Sequence, residues 1–81
     1  MSKVMELVSF IVVNLVEHPD DVSIEVQERD GEQVFEVSVH PDDLGKVIGK
    51  GGQTARSVRA LLQAVGARHD RRFGFEIADD R

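Results

Sequence analysis

Two stretches of the chain alternate between apolar and polar positions. Val22, Ile24 and Val26 share one face of an extended segment, with Ser23, Glu25 and Gln27 on the other; Phe35, Val37 and Val39 repeat the pattern around Glu36 and Ser38. Period two marks a half-buried strand, so the pattern predicts strands over 22–28 and 35–39. Arg29-Asp30-Gly31-Glu32 joins them. Asp-Gly is a favoured two-residue hairpin turn, in which both residues take positive φ. With that turn, Arg29 opposes Glu32, Val26 opposes Phe35, Ile24 opposes Val37 and Val22 opposes Val39. The two apolar faces then coincide, which a one-residue slip would destroy.

Elsewhere the period is helical. Residues 3–17 are almost continuously apolar and lack Gly and Pro, and His18-Pro19-Asp20-Asp21 ends that run, since proline cannot continue a helix. On this helix Val4, Val8, Ile11 and Leu15 are expected to cover the sheet and Lys3, Glu6, Ser9, Asn14 and Glu17 to face water. Phe10 and Val13 fall on the polar side, three residues apart, and together form a candidate partner surface. His40-Pro41-Asp42-Asp43 opens a second helix, with proline at a first helical position and two acids against the helix dipole. Glycines stop it near Ile48. A third helix starts near Gln53, with Ala55, Val58, Leu61, Leu62 and Val65 marking its buried side and Gly66 as its cap. Phe73, Phe75 and Ile77 share one side of a last strand over 72–77. The order is α-β-β-α-α-β. It divides into an N-terminal helix segment (1–20), a β-hairpin (21–39), a helix–turn–helix (41–66), a last strand (71–77) and a frayed tail (78–81), all in one α+β domain.

Charge changes the picture. The 81-residue chain carries a net −5. Residues 1–43 hold eleven acids against Lys3 and Arg29, whereas residues 44–69 hold Lys46, Lys50, Arg56, Arg59 and Arg68 and no acid. Within this block, Gly45-Lys46-Val47-Ile48-Gly49-Lys50-Gly51-Gly52 alone gathers four of the chain's seven glycines. Phosphate contact depends on local potential over roughly a Debye length of 8–10 Å, so an acidic chain with one basic block still fits a polyanionic partner. A glycine turn opening a helix presents free N–H groups to an anion.

Three phosphate-binding patterns compete for this turn. A Walker loop fails because Lys50 stands where its second glycine belongs. A dinucleotide-binding fingerprint fails because Thr54 stands at its third glycine and no strand precedes it. The third is G-x-x-G between two short helices, Gly49-Lys50-Gly51-Gly52, with Val47-Ile48 before it and basic residues on both sides. Val47 to Arg59 resembles the signature of KH domains, and nearly the whole chain is similar to the small single-domain bacterial KH proteins of the KhpA family.

That resemblance implies a type II KH domain, a three-stranded mixed sheet packed against three helices, in which the second hairpin strand pairs in parallel with the last. It implies single-stranded RNA binding, with phosphates on Gly49–Gly52 and bases in a groove walled by aliphatic side chains, for which Ile48 and Val58 are the candidates, Val58 equally as core. Lys46, Lys50, Arg56 and Arg59 are candidate phosphate or base-edge contacts, against a solvated helix face. Gln53 and Thr54 either donate to phosphate or serve the helix's first turn. The resemblance further implies an RNA chaperone or post-transcriptional regulator, and a second KH protein of the KhpB (Jag) type or another copy of the chain as partner. The rival is a protein-interaction or ribosome-associated module on the same fold.

The remaining composition excludes more than it adds. There is no cysteine, hence no disulfide and no thiolate metal site. There is no Trp or Tyr, which disfavours surfaces that stack bases on aromatic rings. Leu7–Val16 is apolar but short of the roughly 20 residues a spanning helix needs, so a soluble cytoplasmic protein is expected. His18, His40 and His69 are scattered, and no nucleophile stands near a base. Neither catalysis, nor a metal site, nor a cofactor is expected.

Overall fold

A computed structural model describes residues 3–78. Helix α1 (Lys3–Val13) leads to strands β1 (Ser23–Arg29) and β2 (Glu32–Ser38), then helices α2 (Leu44–Ile48) and α3 (Gln53–Arg68), then strand β3 (Phe73–Ile77). Short 3-10 turns occupy Pro19–Asp21, Pro41–Asp43 and Lys50–Gly52. The sheet order is β1-β2-β3, with β1 antiparallel and β3 parallel to β2.

The hairpin has the register expected from its alternation. Arg29 pairs with Glu32, Val26 with Phe35 and Ile24 with Val37, and Asp30 and Gly31 both take positive φ, 52° and 82°. Val22 and Val39 fall just outside the strands. Val26 lies on the expected face but stays exposed. The core holds Val8, Val12, Phe35, Val37, Val47, Val58, Leu62, Phe73 and Phe75. Phe35 and Phe73 meet edge to face, their ring centroids 5.8 Å apart.

The expected α1 is too long. It stops at Val13. The Asn14 side-chain amide donates to Phe10 O at 2.7 Å, capping a carbonyl of the last turn. The chain then leaves the helix so that Glu17 N–H and His18 N–H can donate to the Asp43 carboxylate at 3.1 and 3.0 Å. Val12, not Leu15, joins Val8 as a fully buried residue. Phe10 stays 67% exposed, as its position on the polar side implies, while Val13 is half-buried.

Helix α3 corrects two further expectations. Gly66 is not its cap: the helix runs on to Arg68, and the left-handed residue that follows is Asp70 (φ 54°). A Cβ on Gly66 would sit 2.5 Å from Arg71 O and 3.3 Å from Phe73, so this glycine lets the returning chain pack against the helix. Leu61 is not on the buried side, being 43% exposed. The last strand starts at Phe73, one residue after the expected 72, and the expected tail lies, from residue 79 on, outside the described residues.

One core residue belongs to the face that the alternation assigns to water. Val34 is only 3% exposed. Gly74 of β3 lies beside it with no side chain, and polar groups close over it. Arg29 of β1 reaches across β2 to Glu76 of β3 with two bonds of 2.9 and 3.2 Å. Its Nη2 also donates to Gln27, whose amide donates to Glu36.

Candidate nucleic-acid interface

The turn between α2 and α3 is built by backbone conformations that favour glycine. Gly49 (φ 81°), Gly51 (φ 63°) and Gly52 (φ 77°) all lie in the left-handed half of conformational space, where a Cβ costs about 1–2 kcal/mol per residue. Gly49 is constrained twice, because a Cβ there would overlap the Thr54 hydroxyl and lie 2.6 Å from Thr54 N. Thr54 is thus packed against the turn as part of its frame. Gly51 opens to solvent, and a Cβ added there would meet no described heavy atom within 4 Å. Gly49 N–H donates to Gly45 O at 2.8 Å and Gly52 N–H to Gly49 O at 3.0 Å, so the turn is held at both ends.

The basic residues divide sharply once their partners are known. Lys50 is exposed at the tip, and its side chain has no ion pair or hydrogen bond among the described residues. Arg56, one turn into α3, donates from Nη1 to Gly51 O at 2.9 Å and braces the turn from behind. Arg59 is half-buried and grips Phe75 O with Nε (3.2 Å) and Nη2 (2.9 Å). That carbonyl points away from β2. Gln33 N–H reaches Arg72 O and Ala78 N–H reaches Val37 O, so the backbone groups of the even-numbered residues of β3 serve the ladder and those of Phe73, Phe75 and Ile77 point to the free edge. Arg59 therefore closes the sheet edge beside the turn. Lys46 points elsewhere, with its ammonium 3.7 Å from Asp43 and 4.0 Å from Glu17. Gln53 is exposed at the helix start.

Of the two candidate groove residues, Val58 is core, 6% exposed. Ile48 is half-buried at the end of α2 and is not packed into the core. It is the aliphatic side chain nearest the turn in sequence that remains available to a ligand.

Asp43 escapes a sequence reading that treats it as a solvated first-turn acid. It is fully buried. Burial by itself raises the carboxyl's pKa, but the N–H groups of Glu17 and His18 and the charges of His18 and Lys46 outweigh it, so the net shift is downward. The signal was in the sequence, because His-Pro-Asp-Asp occurs twice, at 18–21 and 40–43. The fold brings the first residues of the two copies together, with the His18 and His40 rings 4.1 Å apart. Two of the three histidines are therefore not scattered, while His69 stands apart at the end of α3. His18, His40 and Asp42 each place a ligand atom within 4.8 Å of the others. His40 Nδ1, however, accepts the Asp42 N–H at 3.0 Å, which leaves the proton of a neutral ring on Nε2. A cation would have to break that bond or shift the tautomer.

No helix among the described residues is long and apolar enough to cross a membrane. The arrangement as a whole is a positively charged, glycine-lined turn at a helix start, beside a half-exposed isoleucine and an arginine-capped sheet edge. Its chemistry suits a phosphate backbone.

Comparisons with known proteins point to one family. The family model described as "KhpA/KhpB, KH domain" matches residues 5–77. A protein named RNA-binding protein KhpA from Halalkalibacterium halodurans is 44% identical over 73 residues, 90% of this chain and 96% of its own. Proteins of the same name from Bacillus subtilis and Streptomyces coelicolor are 42% identical over 74 residues and 46% over 63, covering 91% and 78% of this chain and 91% and 80% of theirs. The crystal structure of APE1850 superposes with a TM-score of 0.68 at 26% identity, covering 96% of this chain and 51% of that one.

Proposed function

The chain belongs to the KhpA/KhpB KH-domain family, and from that premise we propose that it is a non-catalytic binding protein for single-stranded RNA, holding the RNA backbone on the turn Gly49–Gly52. The observation that carries this reading is the turn itself: three glycines at positive φ, the unpaired Lys50 at its tip, and the start of α3 behind it. A phosphate can approach such a backbone more closely than any side chain would allow. Clamping about four nucleotides is the mode of this turn in KH domains. The relatives' name, RNA-binding protein KhpA, supports the same class of ligand.

In this reading Gly49, Lys50, Gly51 and Gly52 receive phosphate, Gln53 stands ready to donate to it, and Ile48 meets a base. Arg56, Arg59 and Thr54 act mainly by holding the turn and the sheet edge in place. Lys46 contributes long-range potential while paired to Asp43 and Glu17. The protein works in the cytoplasm as an RNA chaperone or post-transcriptional regulator. One KH domain holds few nucleotides, so association with a second KH protein, of the KhpB type or another copy, raises affinity through effective concentration. The exposed Phe10 on α1 is the candidate surface for that association.

The test is Lys50→Asp combined with Gly51→Asp, measured on short single-stranded RNA and on duplex RNA. Gly51 has room for a Cβ, and aspartate tolerates the left-handed region better than most residues, so the variant is expected to fold. Wild type should prefer the single strand, and the variant should lose at least about tenfold in affinity, the scale of one or two lost charge-assisted contacts. Wild-type affinity in a folded variant would refute the assignment.

A further inference from the structure

The same side of α3 continues past the turn. Gly52, Arg56, Arg59, Gln63 and Ala67 fall at i, i+4, i+7, i+11 and i+15, one stripe along the helix. At 1.5 Å per residue this stripe spans about 22 Å. It runs antiparallel to β3, because Arg59 meets Phe75 and Gly66 meets Arg71 and Phe73. Two cavities lie along this seam and share Glu32 and Gln63. The one nearer the turn, about 210 Å³, is lined by Arg59, Val34 and Gly74 among others. The farther one, about 400 Å³, is lined by Glu32, Gln63, Ala67, Arg71, Arg72 and Phe73.

Arg71 and Arg72 are exposed and have no ion pair or side-chain hydrogen bond among the described residues. The backbone that carries them is fixed. Arg71 N–H and His69 N–H both donate to Gly66 O, at 2.8 and 2.9 Å, and Gly66 has no side chain to keep this turn away from the helix. Two arginines with free guanidinium groups thus stand on a hydrogen-bonded backbone and line one cavity together with Phe73 and Ala67.

We propose that this cavity is a second RNA subsite. It takes at least one further nucleotide beyond the roughly four held at the glycine turn, with phosphate on Arg71 and Arg72 and a base edge toward Gln63 and Glu32. The inference rests on the RNA-binding reading above. The arginines supply the charge complementarity, and planar guanidinium suits phosphate in two-point contact. Glu32 faces the same cavity and keeps the anion on the arginine side, while its carboxylate can accept from a base amino group.

The experiment compares a four-nucleotide RNA with one of about eight, at two salt concentrations, for wild type, Arg71→Ala with Arg72→Ala, and Lys50→Asp with Gly51→Asp. Wild type should bind the longer RNA more tightly. The arginine pair variant should lose affinity for the longer RNA by roughly fivefold to thirtyfold, the range for about two surface charge contacts. Its affinity for the short RNA should stay within about twofold. Its slope of log K against log salt on the longer RNA should become shallower by about 1.4, at about 0.7 per phosphate. Arg71→Lys with Arg72→Lys should keep that slope and confirm that charge, not a folding defect, is responsible. Equal affinity of the arginine variant and wild type for the longer RNA overturns the second subsite and leaves the glycine turn standing. So does a loss equal on both lengths, which would mean diffuse attraction only. Full binding by the turn variant refutes the primary reading instead.

Discussion

Gly49 carries the sharpest steric demand in the molecule. Positive φ and overlap with Thr54 act together, so Gly49→Ala should destabilise the fold by about 2–4 kcal/mol, adding conformational strain to overpacking. Thermal or urea unfolding checks this, and a loss under about 1 kcal/mol would mean the turn can re-form around a side chain. Arg59 makes a different prediction. Its guanidinium holds a part-buried carbonyl, so Arg59→Ala should cost about 1–2 kcal/mol of stability even without RNA. A purely RNA-facing arginine would leave unfolding unchanged. Asp43 makes a third prediction. Its pKa is lowered in the folded state, so its stabilisation is complete above the ordinary carboxylate range near pH 4 and is lost as pH falls through the lowered value. Melting curves of wild type and Asp43→Asn should therefore differ most near neutral pH and converge in strong acid. A gap that persists unchanged in strong acid would contradict the buried carboxylate's role.

At the scale of elements, α1 offers the clearest separation between core and surface. Phe10 is exposed and lies outside the core, so Phe10→Ser should alter stability by no more than about 0.5 kcal/mol. It should weaken self-association, seen by sedimentation, or capture of a KhpB-type partner. A large loss of stability would return Phe10 to the core. Elements whose cues are local were legible in the sequence. The hairpin was readable to its register, because alternation and Asp-Gly determine it without reference to the rest of the chain. The glycine turn was readable for the same reason. What sequence could not supply were the long-range partners. α1 ends early because Asp43, 25 residues beyond His18, takes its exit amides. Gly66 resembles a cap because a glycine near a helix end usually is one, whereas here the return of Arg71 onto the helix requires it. Val34 reads as exposed because its cover, the strap from Arg29 to Glu76, joins residues 47 apart.

The whole molecule segregates charge. The open sheet face presents Glu25, Glu32, Glu36 and Glu76 against Arg29, while the turn and α3 carry the basic block. Such a distribution repels a polyanion from one side and attracts it to the other, so net charge is a poor guide to the ligand. The candidate residues were legible as a group, but their division of labour was not. Lys46, Arg56 and Arg59 are each committed to a partner in the protein, and only Lys50 of the four is free among the described residues. The salt dependence should reflect this: a slope of about −0.7 for a four-nucleotide RNA, from Lys50, and nearer −2 when Arg71 and Arg72 are also engaged. A slope steeper than about −5 on the longer RNA would require more phosphate contacts than the described surface offers.

Backbone amide shifts during titration with a short single-stranded RNA test the central claim most directly, because they locate the ligand without any mutation. The largest changes are expected at Gly49–Thr54, with smaller ones at Ile48, Arg56 and the Phe75 edge, and with α1 and the open sheet face unaffected. Changes confined to the Phe10 side of α1 or to the acidic sheet face, with the glycine turn silent, would contradict the account.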